Sequence, residues 1–392
     1  MGYEDAYQGG YYQPAGPTTP QPAPDSEPPP FRWHVCDSLT GNIVGRLPVA
    51  TYEITEEIRA AGVGTITVPM PGEPEGVRRL NRLLRPGDRR AHGRAIAMEH
   101  LDTGKVLFYG PIMKTPDRAG PVLSIPVADW SAWFRSALVR PTGDKFVTKR
   151  DYIVTGRDQS LIMTDLMSIA LEGTIGDPAI VVDAAPTSGT NRDRTARMFT
   201  KIGDVLDELA NTAGGVEWFT YGTRNPRATQ IIGHVAAAYP ERGSGQRPIR
   251  LSWKQDLAGN ISGNIDSYTW PGGEDVPTRV FATDAQEEVT LWGYAEDTST
   301  IGLTDIVWES TIDLADGTTD KATATARAKG ELQRASAFDG LLEITVNAAQ
   351  LDFHKLVVGD RARVEIDDGW NRTINVPAAR IVRRVLSGGA GK

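Results

Sequence analysis

Cysteine is almost missing from this 392-residue chain: Cys36 stands alone, which excludes an internal disulfide and any thiolate metal cluster built within one chain. We read it as a small hydrophobe buried on a strand. Long apolar runs are missing as well. None approaches the roughly 20 residues that cross a bilayer as a helix, so no stable membrane association is expected. The opening Met1-Gly2-Tyr3-Glu4-Asp5 has neither a basic region nor an apolar stretch behind it; no secretory signal is expected, and the protein should act where it is made or leave by lysis. An excess of positive charge is also lacking. With a net charge of −8 and a pI near 5.3, the chain does not have the clustered Lys and Arg by which general nucleic-acid binders neutralise phosphate. An acidic conduit that DNA passes through is compatible with this balance.

Catalytic patterns are the next absence. His34, His92, His100, His234 and His354 are scattered singly, with no His-Glu-x-x-His helix. Ser188 lies in Pro186-Thr187-Ser188-Gly189-Thr190, a polar stretch without the Gly-x-Ser-x-Gly elbow of a nucleophile, and reads as a mobile loop. Asp313, Asp316 and Asp320 around Gly317 do not have calcium-loop spacing and read as turn and capping residues. Gly62-Val63-Gly64 and Gly243-Ser244-Gly245 lack the companions of a phosphate loop and read as turns. The expectation is a protein with no catalytic residues, no cofactor and no metal.

What is present is a string of short strands. At this length two to four domains are expected, because single cores rarely grow beyond about 250 residues. Residues 1–30, rich in Tyr, Gln, Gly and Pro, read as a disordered arm whose tyrosines could contact a partner. From Phe31 to residue 149 alternating runs such as Phe31-Arg32-Trp33-His34-Val35 and Val49 to Ile54 predict a first small β-barrel. A helical excursion, Glu75 to Leu84, has Val77, Leu80, Leu83 and Leu84 on one face. Residues 150–250 predict a middle α+β domain with helices at Leu161 to Leu171 and Ile202 to Thr212. Residues 251–387 return to strands around a helix at 320–337 and predict a second barrel, followed by a flexible tail at 388–392. Asp129 is placed to cap a short helix carrying Trp130, Trp133 and Phe134, with the two tryptophans as core or interface anchors.

The two β-regions echo each other. Leu84-Arg85-Pro86-Gly87-Asp88-Arg89 follows one helix and leads into a hairpin and a strand; Leu356-Val357-Val358-Gly359-Asp360-Arg361 does the same in the second half, with a turn at Asp367-Asp368-Gly369. Glycine permits positive φ there and aspartate bonds nearby backbone. Gly87, Asp88, Arg89, Gly359, Asp360 and Arg361 are therefore the candidate barrel-defining residues, with Trp130 and Trp133 as candidate interface residues. The arginine pairs Arg78-Arg79, Arg89-Arg90 and Arg383-Arg384 suggest salt bridges between subunits.

The second copy, with Leu341 to Val346 and then Leu-x-x-Gly-Asp-x-x-x-Val from Leu356, resembles the C-terminal barrel of phage baseplate hub proteins. The first part, with Asp37-Ser38-Leu39-Thr40-Gly41, Val127-Ala128-Asp129-Trp130 and Arg140-Pro141, is similar to minor tail proteins of long-tailed phages infecting actinobacteria. The resemblance implies a structural virion protein at the tail tip, assembled in the host cytoplasm. It implies a homotrimer whose two barrels per subunit imitate six-fold symmetry. The implied partners are the distal tail protein, the tape measure protein and other minor tail proteins, with genomic DNA only in transit. Two alternatives stay open: a tail-associated cell-wall or polysaccharide hydrolase, and a distal tail or receptor-binding component using Trp270, Trp292, Trp308 and Trp370.

Overall fold

The computed structural model describes residues 31–58, 60–84, 93–139, 151–171, 180–183, 187–212, 214–225, 230–239, 249–256, 258–269, 277–284, 291–298, 307–314, 320–338, 342–346, 351, 353–367, 369 and 373–389. The arm at 1–30, Gly87, Asp88 and Arg89, Arg140-Pro141, Asp316, Trp270 and Trp370 lie outside the described residues.

The chain begins with β1 (Phe31–Asp37), β2 (Ile43–Arg46), β3 (Thr51–Glu57), β4 (Val63–Pro69), α1 (Pro74–Leu84), β5 (Arg94–His100), β6 (Val106–Pro111), β7 (Asp117–Ala119), β8 (Val122–Ala128) and α2 (Ser131–Ser136). One sheet has the order β2-β1-β5-β6; a second runs through β3-β4-β8-β7 and is extended beyond β3 by the chain's last strand, Arg383–Gly389. Their facing sides share one core: Trp33, Val35, Ile96 and Met98 from the first sheet, Ile54, Ile66 and Ile125 from the second. Helix α1 closes this core with Leu80 and Leu84.

Closure of the expected barrel is not seen among the described residues. The two sheets meet through a single bridge, Ile112 with Val127, and among the described residues no sheet closes on itself. Alternation specifies only that one face of each strand is buried, a condition that stacked sheets satisfy as well as a barrel.

The middle region holds β9 (Tyr152–Asp158), α3 (Gln159–Leu171), β10 (Ile180–Val182), β11 (Asn191–Ala196), α4 (Ile202–Ala210), β12 (Glu217–Arg224) and β13 (Ile231–Tyr239). Ile162, Leu166 and Met167 of α3 pack with Val205, Leu206 and Leu209 of α4, as the apolar stripe of α4 predicts. Helix α3 starts two residues earlier than expected because Asp158 caps it, accepting the Ser160 N–H at 2.9 Å. The same carboxylate accepts the Ser188 N–H at 3.1 Å and the Gly189 N–H at 2.9 Å, and the Ser188 hydroxyl donates to it at 3.1 Å. The segment read as a mobile loop is therefore fastened to the helix start. Burial opposes charge on Asp158, but the bonds from Ser160 and Ser188 outweigh it and hold the carboxyl at about 2. Asp158→Ala should cost about 1–2 kcal/mol in a urea titration. Because the folded value lies below the ordinary one, the Asp158 contribution is present above about pH 4 and lost as pH falls through about 2.

The third region contains β14 (Ile249–Gln255), β15 (Ile261–Gly263), β16 (Ile265–Thr269), β17 (Arg279–Thr283), β18 (Trp292–Glu296), β19 (Glu309–Asp313), α5 (Lys321–Phe338), β20 (Glu343–Val346), a 3₁₀ turn at Phe353–Lys355, β21 (Arg361–Asp367), β22 (Thr373–Arg380) and β23 (Arg383–Gly389). Its sheets are β15-β14-β21-β22, β16-β20 and β18-β17-β19. Asp320 caps α5 through the Thr323 N–H at 2.8 Å, where the sequence places the helix start. Ala324 and Ala328 let α5 lie close on Val280 and Ala282 of β17. On β18 a Cβ at Gly293 would come within 2.3 Å of the Thr325 backbone nitrogen. Gly293→Ala should therefore push α5 off its sheet and lower stability by about 1–3 kcal/mol, read from the thermal midpoint.

Hairpins β5–β6 and β21–β22 are both antiparallel, but β5 adds to β1 antiparallel whereas β21 adds to β14 parallel. The strand expected to close the second barrel continues as β23 into the first β-region. Gly388 and Gly389, expected in a flexible tail, pair there with Tyr52 and Thr51.

Candidate functional site

The geometry concentrates at the seams where the three regions meet. Strands β5 and β6 are buried along their whole length. One face supplies the shared core, and on the other Ala95, Ala97, Val106 and Tyr109 pack with Ile231 of the middle region and with Trp130. A strand buried on both faces cannot reach water, so its polar residues need partners. Glu99 is 2 % exposed on β5, and His34 beside it on β1 is 4 % exposed. The His34 Nε2 lies 2.7 Å from Glu99 Oε2, while Arg224 of β12 donates to the other oxygen. Burial opposes charge on Glu99, yet the bonds from His34 and Arg224 win and its carboxyl falls below the ordinary range. Burial, against the pull of Glu99, lowers His34 as well. A neutral imidazole donating to a carboxylate satisfies both directions.

Trp130 and Trp133 sit at this same seam. Trp130 is 3 % exposed with its ring 5.9 Å from that of Tyr109, and Trp133 packs against both the seam cluster and the middle core. Within the chain they join two of its regions. The capping expectation is adjusted: Trp130 occupies the cap position of α2, and Asp129, one residue before, accepts the Ser131 N–H at 2.9 Å and the Gly62 N–H at 2.8 Å. Burial raises the Asp129 carboxyl to about 6 against those bonds. Cys36 is buried in the seam cluster as expected, its thiol pushed up to about 12 by burial.

The second seam joins the third region to the others. Strand β23 runs antiparallel to β3 over seven residue pairs, from Arg383 opposite Glu57 to Gly389 opposite Thr51. Arg384 pairs with Glu56 and donates to the Leu356 carbonyl at 2.5 Å. Of the arginines expected to bridge subunits, Arg384 thus finds its carboxylate within its own chain. Arg380 holds Glu217 of β12 through two bonds, at 2.8 and 2.5 Å, and Glu217 is 3 % exposed. Lys105 donates to the His354 carbonyl at 2.9 Å, with the His100 and His354 rings 4.7 Å apart.

Gly359, Asp360 and Arg361 stand at this seam. Gly359 has φ +99°, which explains the glycine, and its N–H donates to the Ile381 carbonyl at 2.7 Å. The Ile381 N–H returns a bond to the Asp360 carbonyl at 2.9 Å, and Arg361 opens β21 opposite Arg380. The motif is a turn that clamps the β22–β23 connection, just before β23 leaves for the first region. Sequence reading missed His34, Glu99, Arg224, Glu217 and Arg380. The available signal was an acid, Glu99, directly after the apolar run Ala95 to Met98 of a strand. Of the four tryptophans set aside for a receptor-binding reading, Trp292 and Trp308 are described, and they are 43 % and 52 % exposed.

No described protein family and no curated protein sequence matches the chain. Its fold matches solved structures. A tail protein from Neisseria meningitidis aligns with a TM-score of 0.54 at 14 % identity, covering 91 % of this chain and 92 % of that one. A 43 kDa tail protein of prophage MuSo2 from Shewanella oneidensis aligns with a TM-score of 0.52 at 11 % identity, covering 91 % and 94 %. At these identities the likeness is one of fold.

Proposed function

From a mainly β fold shared with tail proteins along nearly the full length of both chains, we propose that this protein is a structural tail-tip component: a hub subunit that assembles as a homotrimer. In this reading the two β-regions of each subunit act as related barrel-like units, so that three chains present six near-equivalent surfaces around a conduit for DNA. The ring joins the tail tube and distal tail protein above to the tip below, beside the tape measure and other minor tail proteins. The observation that carries the reading is the extent of the fold likeness, which takes in both β-regions and the middle region together. The return of β23 to β3 supports it, because a ring subunit must transmit load as one body. The role is non-enzymatic, and incubation with host cell walls should release no soluble fragments.

Native mass measurement of the purified chain tests the stoichiometry. A species at three times the 42.5 kDa chain mass is expected. A monomer at all concentrations would remove the hub reading.

A further inference from the structure

One charged feature is left unused by the seams and by the proposed ring. Arg78, Arg79 and Arg82 are exposed on α1, on the side away from the buried Leu80 and Leu84, and none forms an ion pair among the described residues. Arg78 and Arg82 line an open cleft with Glu75 and Asn81. Elsewhere Arg94, Arg194, Arg380 and Arg384 each meet a carboxylate. In a chain of net charge −8, three adjacent unpaired guanidiniums mark a surface that suits an anion-rich partner.

The chain carries a complementary segment. Residues 1–30 contain Glu4, Asp5, Asp25 and Glu27, the tyrosines Tyr3, Tyr7, Tyr11 and Tyr12, and no Lys, Arg or His. They join the described structure at Phe31, whose ring packs on the same core that α1 covers. Thirty residues span up to about 100 Å when extended, ample for reaching one face of the domain they are attached to. Tethering sets a local concentration of about millimolar, at which contacts too weak to hold a free peptide become populated. We propose that residues 1–30 dock on the arginine face of α1 in their own chain, carboxylates against the guanidiniums and tyrosine rings stacked on them.

Spin labels on Gln13→Cys and Glu73→Cys in the full-length chain test this by pulsed distance measurement, since Cys36 is fully buried and escapes labelling. A narrow distance population is expected at low ionic strength. It should shrink about fivefold or more at about 0.5 M salt, and equally in Arg78→Glu/Arg79→Glu/Arg82→Glu. The variant Glu4→Gln/Asp5→Asn/Asp25→Asn/Glu27→Gln leaves α1 untouched and should give the same loss, so a folding defect of the arginine variant cannot imitate the result. A broad distribution identical in all three chains would overturn the proposal. So would a narrow one indifferent to charge, or one seen only when singly labelled chains are mixed, which would place the contact between copies.

Discussion

Arg384→Ala combined with Leu386→Asp is expected to lower the stability of the first β-region by about 5 kcal/mol. Leu386 packs on the core that Trp33, Ile54 and Ile66 share, and it stands opposite Ile54 in the β23–β3 ladder. A carboxylate there removes about 2 kcal/mol of apolar burial and forces a charge against that core. Arg384 pairs with Glu56 across 328 residues of sequence, and removing it leaves the part-buried Glu56 without its cation. Losing one partner of a fully buried pair costs about 3–5 kcal/mol, and the partial exposure of both this pair and Leu386 lowers the sum. A urea titration followed by tryptophan fluorescence reads the change, because Trp33 is 7 % exposed inside the affected core. If the third region were an independent domain, the double variant would leave the Trp33 transition where it is.

The second large effect is expected at the other seam. Glu99→Ala should cost about 3 kcal/mol, since it leaves His34 buried without its acceptor and Arg224 without its carboxylate. The seam should also be acid-sensitive. Glu99 titrates below its ordinary value in the fold, so its contribution is present above about pH 4 and is lost as pH falls through the folded value. His34 is lowered too, so the unfolded chain takes up its proton first, and stability declines as pH falls below about 6.5. Both groups act in the same direction. Between about pH 7 and pH 5 the decline should be smaller in His34→Gln than in the natural chain. Equal slopes in the two would exclude His34 as its source.

Local structure was legible where one residue's neighbours decide it. The stripe Val77, Leu80, Leu83, Leu84 predicts α1, the stripe Ile202, Val205, Leu206, Leu209 predicts α4, and the start of α5 follows from Asp320. The positive φ of Gly359 follows from a glycine before an aspartate at a strand entry. What stayed hidden is pairing at long range. The alternation of Val385 and Leu386 announces a strand with one buried face, but no local pattern says that its partner is β3. For the same reason alternation alone does not say whether two sheets stack or close into a barrel. Ser188 was read as mobile because the carboxylate that fastens it is Asp158, 30 residues earlier. Glu99, after the apolar run Ala95 to Met98, and Glu217, between Val216 and Trp218, are the local conflicts that disclose the seams: an acid on an apolar strand predicts a buried partner.

A reconstruction of the intact tail tip, refined without imposed symmetry, decides whether this chain forms a three-fold ring. Three copies of this chain are expected in a closed ring around the axis, with the two β-regions of each copy alternating to give six similar positions. Six copies in the ring, or a single copy away from the axis, would contradict this arrangement.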